Sequence, residues 1–176
     1  MNEGFSIYFT GLSGSGKSTL ARETAVYLEE QGILVQILDG DILRKNIGNM
    51  FGYSREERMK MSKVVRLIAN LLNRNGISVI IAVIGPYQEM REINRREIKN
   101  YYEIYLNCSL ETCVKRDTKG LYEQALQGDL KHMVGVDDVY EIPKSYDLEI
   151  DTDHKSIAGA ADEIKRFIDS KILARV

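Results

Sequence analysis

Gly11-Leu12-Ser13-Gly14-Ser15-Gly16-Lys17-Ser18 has the spacing G-x-x-x-x-G-K-[ST], and Thr19 follows it. Glycines at these intervals let the backbone aim several N–H groups inward, making a nest for an anion. A helix that starts near Lys17 adds the positive end of its dipole to the same nest. Lys17 then reaches the β- and γ-phosphates of a nucleotide, and the Ser18 hydroxyl is placed to ligate Mg²⁺. Gly11, Ser13, Gly14, Ser15, Gly16, Lys17, Ser18 and Thr19 are therefore the candidate ATP-binding residues, with Lys17 also a candidate catalytic cation.

Asp39-Gly40-Asp41 is a second chemical signal. Two carboxylates at a strand end can hold waters on Mg²⁺ and take a proton from an attacking hydroxyl. The competing reading is a glycine turn whose aspartates cap a following helix, Ile42–Ile47. Asp41 is the better candidate base and metal ligand, because Asp39 lies nearer the strand and is more readily tied to backbone. Among the cations, Arg44 and Arg58 flank Gly48–Tyr53 and suit the phosphates of an anionic substrate by forked hydrogen bonds. Arg116 and Lys119 stand before or within a glycine-bounded segment that can close cations over a transferring phosphoryl group. Arg91, Arg95 and Arg96 read as solvated charges by default. His132 and His154 lack partners at metal-ligand spacing, so both read as surface or structural residues.

These residues need a scaffold. Apolar, β-branched runs at Phe5–Thr10, Ile33–Leu38, Val79–Ile84, Tyr102–Leu106 and Leu148–Ile150 read as strands buried on both faces. Helical patterns lie between them at Ser18–Gln31, Arg55–Asn75, Gln88–Asn100, Leu110–Lys115 and Ser156–Ile172. Such alternation predicts right-handed crossovers and a three-layer α/β/α fold on a mainly parallel five-stranded sheet. Ligands then bind at the carboxyl ends of the strands. Thr118–Ser145 breaks the rhythm with Gly120, Gly128, Gly135 and Pro143, and reads as a lid or long loop.

The 176 residues fit one domain. A net charge of −2 argues against a protein that grips long nucleic acid, and the ten tyrosines have no basic stripe beside them. A mean hydropathy of −0.26 without a long apolar run predicts no transmembrane span. Cys108 and Cys113 match no metal or redox spacing and read as small core hydrophobes. With no basic n-region before Phe5, a cytoplasmic location is expected.

Taken in order, the motifs resemble those of the adenylylsulfate kinase family, phosphate-loop kinases that phosphorylate the 3′-hydroxyl of adenylyl sulfate, and the likeness spans nearly the whole chain. It rests on Gly11 to Thr19, on Leu38-Asp39-Gly40-Asp41 with Arg44, and on Gly52-Tyr53-Ser54 with Arg58. Pro86-Tyr87 with Arg91 fits as well, as do Arg116-Asp117, Lys119-Gly120-Leu121-Tyr122, Gly135 and Asp137. The resemblance implies Asp41 as base, Arg44 and Arg58 on the mixed anhydride, and Lys119 over the substrate. It places Arg116 and Thr152 beside the ATP adenine. Asp39, Tyr53, Met61, Ile84 and Met133 complete the expected acceptor site, and a homodimer is the expected assembly.

The chain also departs from the family's pattern. Ile42 replaces an Asn, and Gly85 and Gln88 replace the Ser and Arg of Ser-Pro-Tyr-Arg, so no phosphoserine can form at position 85. Met61 replaces an Asn, and Met133 replaces a Phe that stacks on the acceptor base. Methionines can pack on a base face but cannot supply paired hydrogen bonds. Two alternatives follow: the same reaction on cytidine diphosphoramidate, as in capsule-pathway relatives, and a nucleotide-binding regulatory module without activity.

Overall fold

The computed structural model describes residues 3–47, 50–117 and 119–175. Gly48 and Asn49, inside the expected substrate-facing segment, and Thr118, the first residue of the expected lid, lie outside the described residues. Five strands form one sheet in the order β2-β3-β1-β4-β5: β1 Ser6–Thr10, β2 Val35–Asp39, β3 Ser78–Ala82, β4 Tyr101–Asn107 and β5 Leu148–Asp151. Every neighbouring pair is parallel. Parallel neighbours need crossover connections, and helices supply them: α1 Lys17–Glu30, α2 Gly40–Ile47, α3 Arg55–Arg74, α4 Gln88–Glu97, α5 Leu110–Lys115, α6 Leu121–Gln127 and α7 Ile157–Phe167. All five expected strands and the α/β/α layering are present, with ends moved by one or two residues.

The strand period of two sorts β1 into two cores. Ile7 and Phe9 face α1 and α7 with Leu20, Leu28, Ile80, Ile104 and Ile164. Tyr8 faces the other way, among Met61, Val65, Val79 and Ile81 under α3. Both faces of β1 and β3 are buried, so these strands read as unbroken apolar runs rather than alternating ones. Helix starts follow local chemistry. Ser54, Ser109 and Ser156 cap α3, α5 and α7 by accepting from the amides of Glu57, Thr112 and Gly159.

Three elements differ from their expected form. The expected helix Gln88–Asn100 ends at Glu97, because Ile98 turns extended to enter β4. The expected Ser156–Ile172 helix loosens after Phe167 into a π turn, Ile168–Ile172. The expected loop after Thr118 contains α6, closed at Gly128 in a left-handed conformation. Tyr122, Met133, Cys108 and Cys113 form a third small core there with Leu12 and Leu130. Both cysteines are buried and unbridged, as small hydrophobes should be. No described helix is long and apolar enough to cross a membrane.

Candidate active site

A cleft of about 780 Å³ opens along the carboxyl ends of the strands. Its floor begins where β1 ends and the Gly11–Ser18 turn leads into α1. Gly14 stands at φ +79°, and a Cβ there would lie 2.9 Å from the Cys113 carbonyl, so only glycine fits this bend. Lys17 Nζ donates to the carbonyls of Gly11 at 3.0 Å and Leu12 at 2.6 Å. Burial pulls its ammonium down to about 8. A ligand carrying negative charge would stabilise the cation further, as a phosphate site requires.

Asp39 and Asp41 divide the work differently from a simple pair. Asp39 is buried; its Oδ2 accepts from Ser18 Oγ at 2.6 Å, while its Oδ1 accepts from the amides of Asp41 and Ile42. It therefore caps α2, which begins at Gly40 rather than Ile42, and orients the Ser18 hydroxyl. Asp39, expected as an acceptor contact, stands behind Ser18, the expected metal ligand. Asp41 is exposed on the cleft wall and forms an ion pair with Lys119. The expected base and the expected lid cation are thus brought together.

Among the other cations, Arg44 lies over the Tyr53 ring at 4.4 Å and donates to the carbonyls of Phe51 and Gly52. Arg58 is buried, donating to Tyr53 O and His132 O at 2.8 Å each, with Asp138 at 3.7 Å. Burial lowers its pKa. It ties α3 to the segment after α6 as well as lining the cleft. At the other end Arg116 donates to the Thr152 carbonyl at 2.7 Å, so these two residues share one corner. Met61, Ile84 and Met133 line the cleft, with both methionines buried. Gly11 lies under the turn, its amide donating to Ile84 O.

Mg²⁺ keeps most of its waters and binds through one or two protein oxygens plus substrate phosphates. The described residues hold no cluster of three or more His, Cys, Asp or Glu that would cage a metal. Ser18 Oγ, oriented by Asp39, and the Asp41 carboxylate both line the cleft and are oxygen donors of the kind such a phosphate-bound ion needs. His132 and His154 are exposed; His154 Nδ1 pairs with Asp151 at 2.9 Å.

Lys155 and Ile157, which follow Thr152, and Tyr8, packed with Met61, line the cleft without having been expected there. Tyr8 carries no sequence signal because every residue of β1 is buried. The structure also gives the Gly85 departure a physical reason. Gly85 stands at φ +59°, and a Cβ would collide with Tyr8 Oη and lie 3.1 Å from Thr10 Oγ1.

A nucleotide-sized cleft at the strand ends, built on a phosphate-binding turn with a buried lysine, defines a phosphate-loop phosphotransferase. A family model described as adenylylsulphate kinase matches residues 3–151, and the chain belongs to that family. The adenylyl-sulfate kinase of Picosynechococcus sp. (strain ATCC 27264 / PCC 7002 / PR-6) is 38% identical over 165 residues, covering 94% of this chain and 93% of the relative. That of Halothermothrix orenii is 38% identical over 169 residues, covering 96% and 91%. The solved structure of the Mycobacterium tuberculosis APS kinase CysC in complex with AMPPNP and APS superposes with a TM-score of 0.91 at 34% identity, covering 97% of this chain and all of that one. Shikimate kinase from Acinetobacter baumannii, at 19% identity and a TM-score of 0.62, shares the fold alone. The chain is accordingly a phosphotransferase with an alcohol group as acceptor.

Proposed function

We propose that this chain transfers the γ-phosphate of ATP to the 3′-hydroxyl of adenylyl sulfate, yielding 3′-phosphoadenylyl sulfate. The observation that carries this reading is the Asp41–Lys119 pair on the wall of a cleft whose floor is the Lys17 turn. Gly11 to Thr19 hold the triphosphate, Arg116 and Thr152 hold the donor adenine, and Ser18 with Asp41 would hold Mg²⁺. The ion neutralises charge on the phosphates when bound. Lys119 leaves Asp41 for the substrate as the acceptor enters. Asp41 then orients the ribose hydroxyl and takes its proton at the carboxylate. Arg44, stacked on Tyr53, and Arg58 bind the mixed anhydride, and Lys17 stabilises charge on the moving phosphoryl group.

Adenylyl sulfate is favoured over cytidine diphosphoramidate because the curated relatives spanning nearly the whole chain are adenylyl-sulfate kinases. The same reading puts the enzyme in sulfate assimilation and in the cytoplasm, where two unbridged buried cysteines are at home; cell fractionation tests the location. It makes the enzyme a homodimer, for which sedimentation should give twice the 20.0 kDa chain mass.

Replacing Asp41 with Asn tests the mechanism. Loss of a general base costs roughly 10²–10⁴-fold in kcat, while ATP affinity should stay within a factor of about two. A variant that keeps its turnover would remove Asp41 from the chemistry. A wild-type chain that leaves adenylyl sulfate unphosphorylated but turns over cytidine diphosphoramidate would be a kinase of another acceptor, and one that binds ATP and phosphorylates neither would be a regulatory module.

A further inference from the structure

Tyr8 belongs to the middle of the central strand, yet it lines the cleft. Its surroundings sort the polar groups of that part of the cleft into committed and uncommitted. Ser62 Oγ already bonds Asn94 Oδ1 at 3.2 Å and accepts from Arg66 at 3.1 Å. Arg58 is engaged with two carbonyls. Among the described residues the Tyr8 hydroxyl has only the thioether of Met90, at 4.0 Å. The Tyr8 side chain is 1% exposed, so its hydroxyl has given up water for a weak acceptor. Buried hydroxyls are rarely left so poorly partnered unless something else completes them.

The neighbouring walls indicate what completes it. Met61, Val65, Met90 and Met133 supply hydrocarbon and sulfur, which suit the faces of a flat heterocycle rather than a charged or sugar group. Of the cations that suit an anionic moiety, Arg44 and Lys119 stand on the α2 side, and Arg58 is held beside Tyr53 and His132. Burial, reinforced by the nearby Glu103 carboxylate, raises the phenol's pKa and keeps it protonated, hence a donor. Gly85 makes room for this hydroxyl, since any side chain there would occupy its place.

We propose that Tyr8 is a specificity-determining residue that donates a hydrogen bond to a ring nitrogen of the acceptor's base, at the apolar end of the cleft. This rests on the reading that the cleft takes adenylyl sulfate. It assigns base recognition to a strand residue, at a position where Met61 and Met133 have no directional group to offer.

The test combines Tyr8→Phe with acceptors whose ring nitrogens are replaced one at a time by C–H, the 1-, 3- and 7-deaza analogues of adenylyl sulfate. Tyr8→Phe should raise KM for adenylyl sulfate about tenfold, with KM for ATP unchanged and Tm shifted by no more than a few degrees. One deaza analogue should be about tenfold poorer in kcat/KM than adenylyl sulfate with the wild-type enzyme and equal to it with Tyr8→Phe. An unchanged acceptor KM in a folded Tyr8→Phe variant overturns the inference while leaving the function in place. So does a wild-type enzyme that treats all three analogues alike, a result that needs no variant to fold. Failure of the wild-type chain on adenylyl sulfate itself sinks the functional reading, and this one with it.

Discussion

Lys17 shows how much one side chain's setting decides. Its ammonium donates to Gly11 O and Leu12 O and is held by burial at about 8, whereas an exposed lysine would stay charged well beyond that pH. Phosphate binding needs the protonated form, and kcat/KM reports the ionisations of the free enzyme. The value of kcat/KM for ATP should therefore fall on a basic limb centred near 8, losing about tenfold per pH unit beyond it. Lys17→Arg keeps its charge across that range and should flatten the limb, whatever it does to the rate. A wild-type profile level to about pH 9.5 would remove Lys17's titration from ATP binding. Residue types and spacing were enough to single out Lys17, Ser18, Asp41, Arg116 and Lys119, which all line one cleft. They could not separate the two aspartates fully, because Asp39's bond to Ser18 joins residues on different elements. Nor could they reveal Tyr8, whose importance depends on the glycine that faces it from the loop after β3.

At the scale of elements, the segment following Thr118 is the one that spacing misjudged. Its few apolar residues do not repeat along a long stripe, so they resemble a loop; three-dimensionally, Tyr122, Met133 and Leu130 meet Leu12, Cys108 and Cys113. The joint has a polar stitch, since Tyr122 Oη donates to the Ser13 carbonyl at 2.9 Å and so connects α6 to the phosphate turn. Tyr122→Phe should cost about 1 kcal/mol of stability in urea unfolding and raise KM for ATP severalfold, as the turn loses that support. An unchanged KM would make the contact purely a matter of packing. Strands, by contrast, were legible to within two residues, because five buried apolar runs separated by amphipathic stretches leave little choice of class. Helix ends were less so. The stop at Glu97 and the π turn at Ile168 have no glycine or proline to mark them.

On the scale of the whole molecule, Arg91 and Glu103 hold the layers in relation to one another. Arg91 is 2% exposed and donates to the carbonyls of Gly85 and Glu141 and to Gln88 Oε1, joining the loop after β3 to the end of the segment that follows α6. Glu103, on β4, lies 3.6 Å from it and accepts from Tyr101. Burial raises the Glu103 pKa against the pull of these partners, so its carboxylate stands there at a desolvation cost that Arg91 offsets. Glu103→Gln would leave the Arg91 charge short of its counterion. We expect a loss of about 3 kcal/mol, read as a fall in Tm of roughly 6–12 °C. A shift under about 2 °C would mean the carbonyls alone suffice for Arg91. The interlock of Gly85 with Tyr8 has a consequence for how this chain can change over generations. A serine introduced at position 85 meets both a backbone held at φ +59° and an occupied space, so it is harmful while Tyr8 remains. Residue 8 has to shrink first, and the strain at 85 be relieved afterwards. The order of those two substitutions is imposed by volume, and a lineage that takes them in reverse passes through a damaged intermediate.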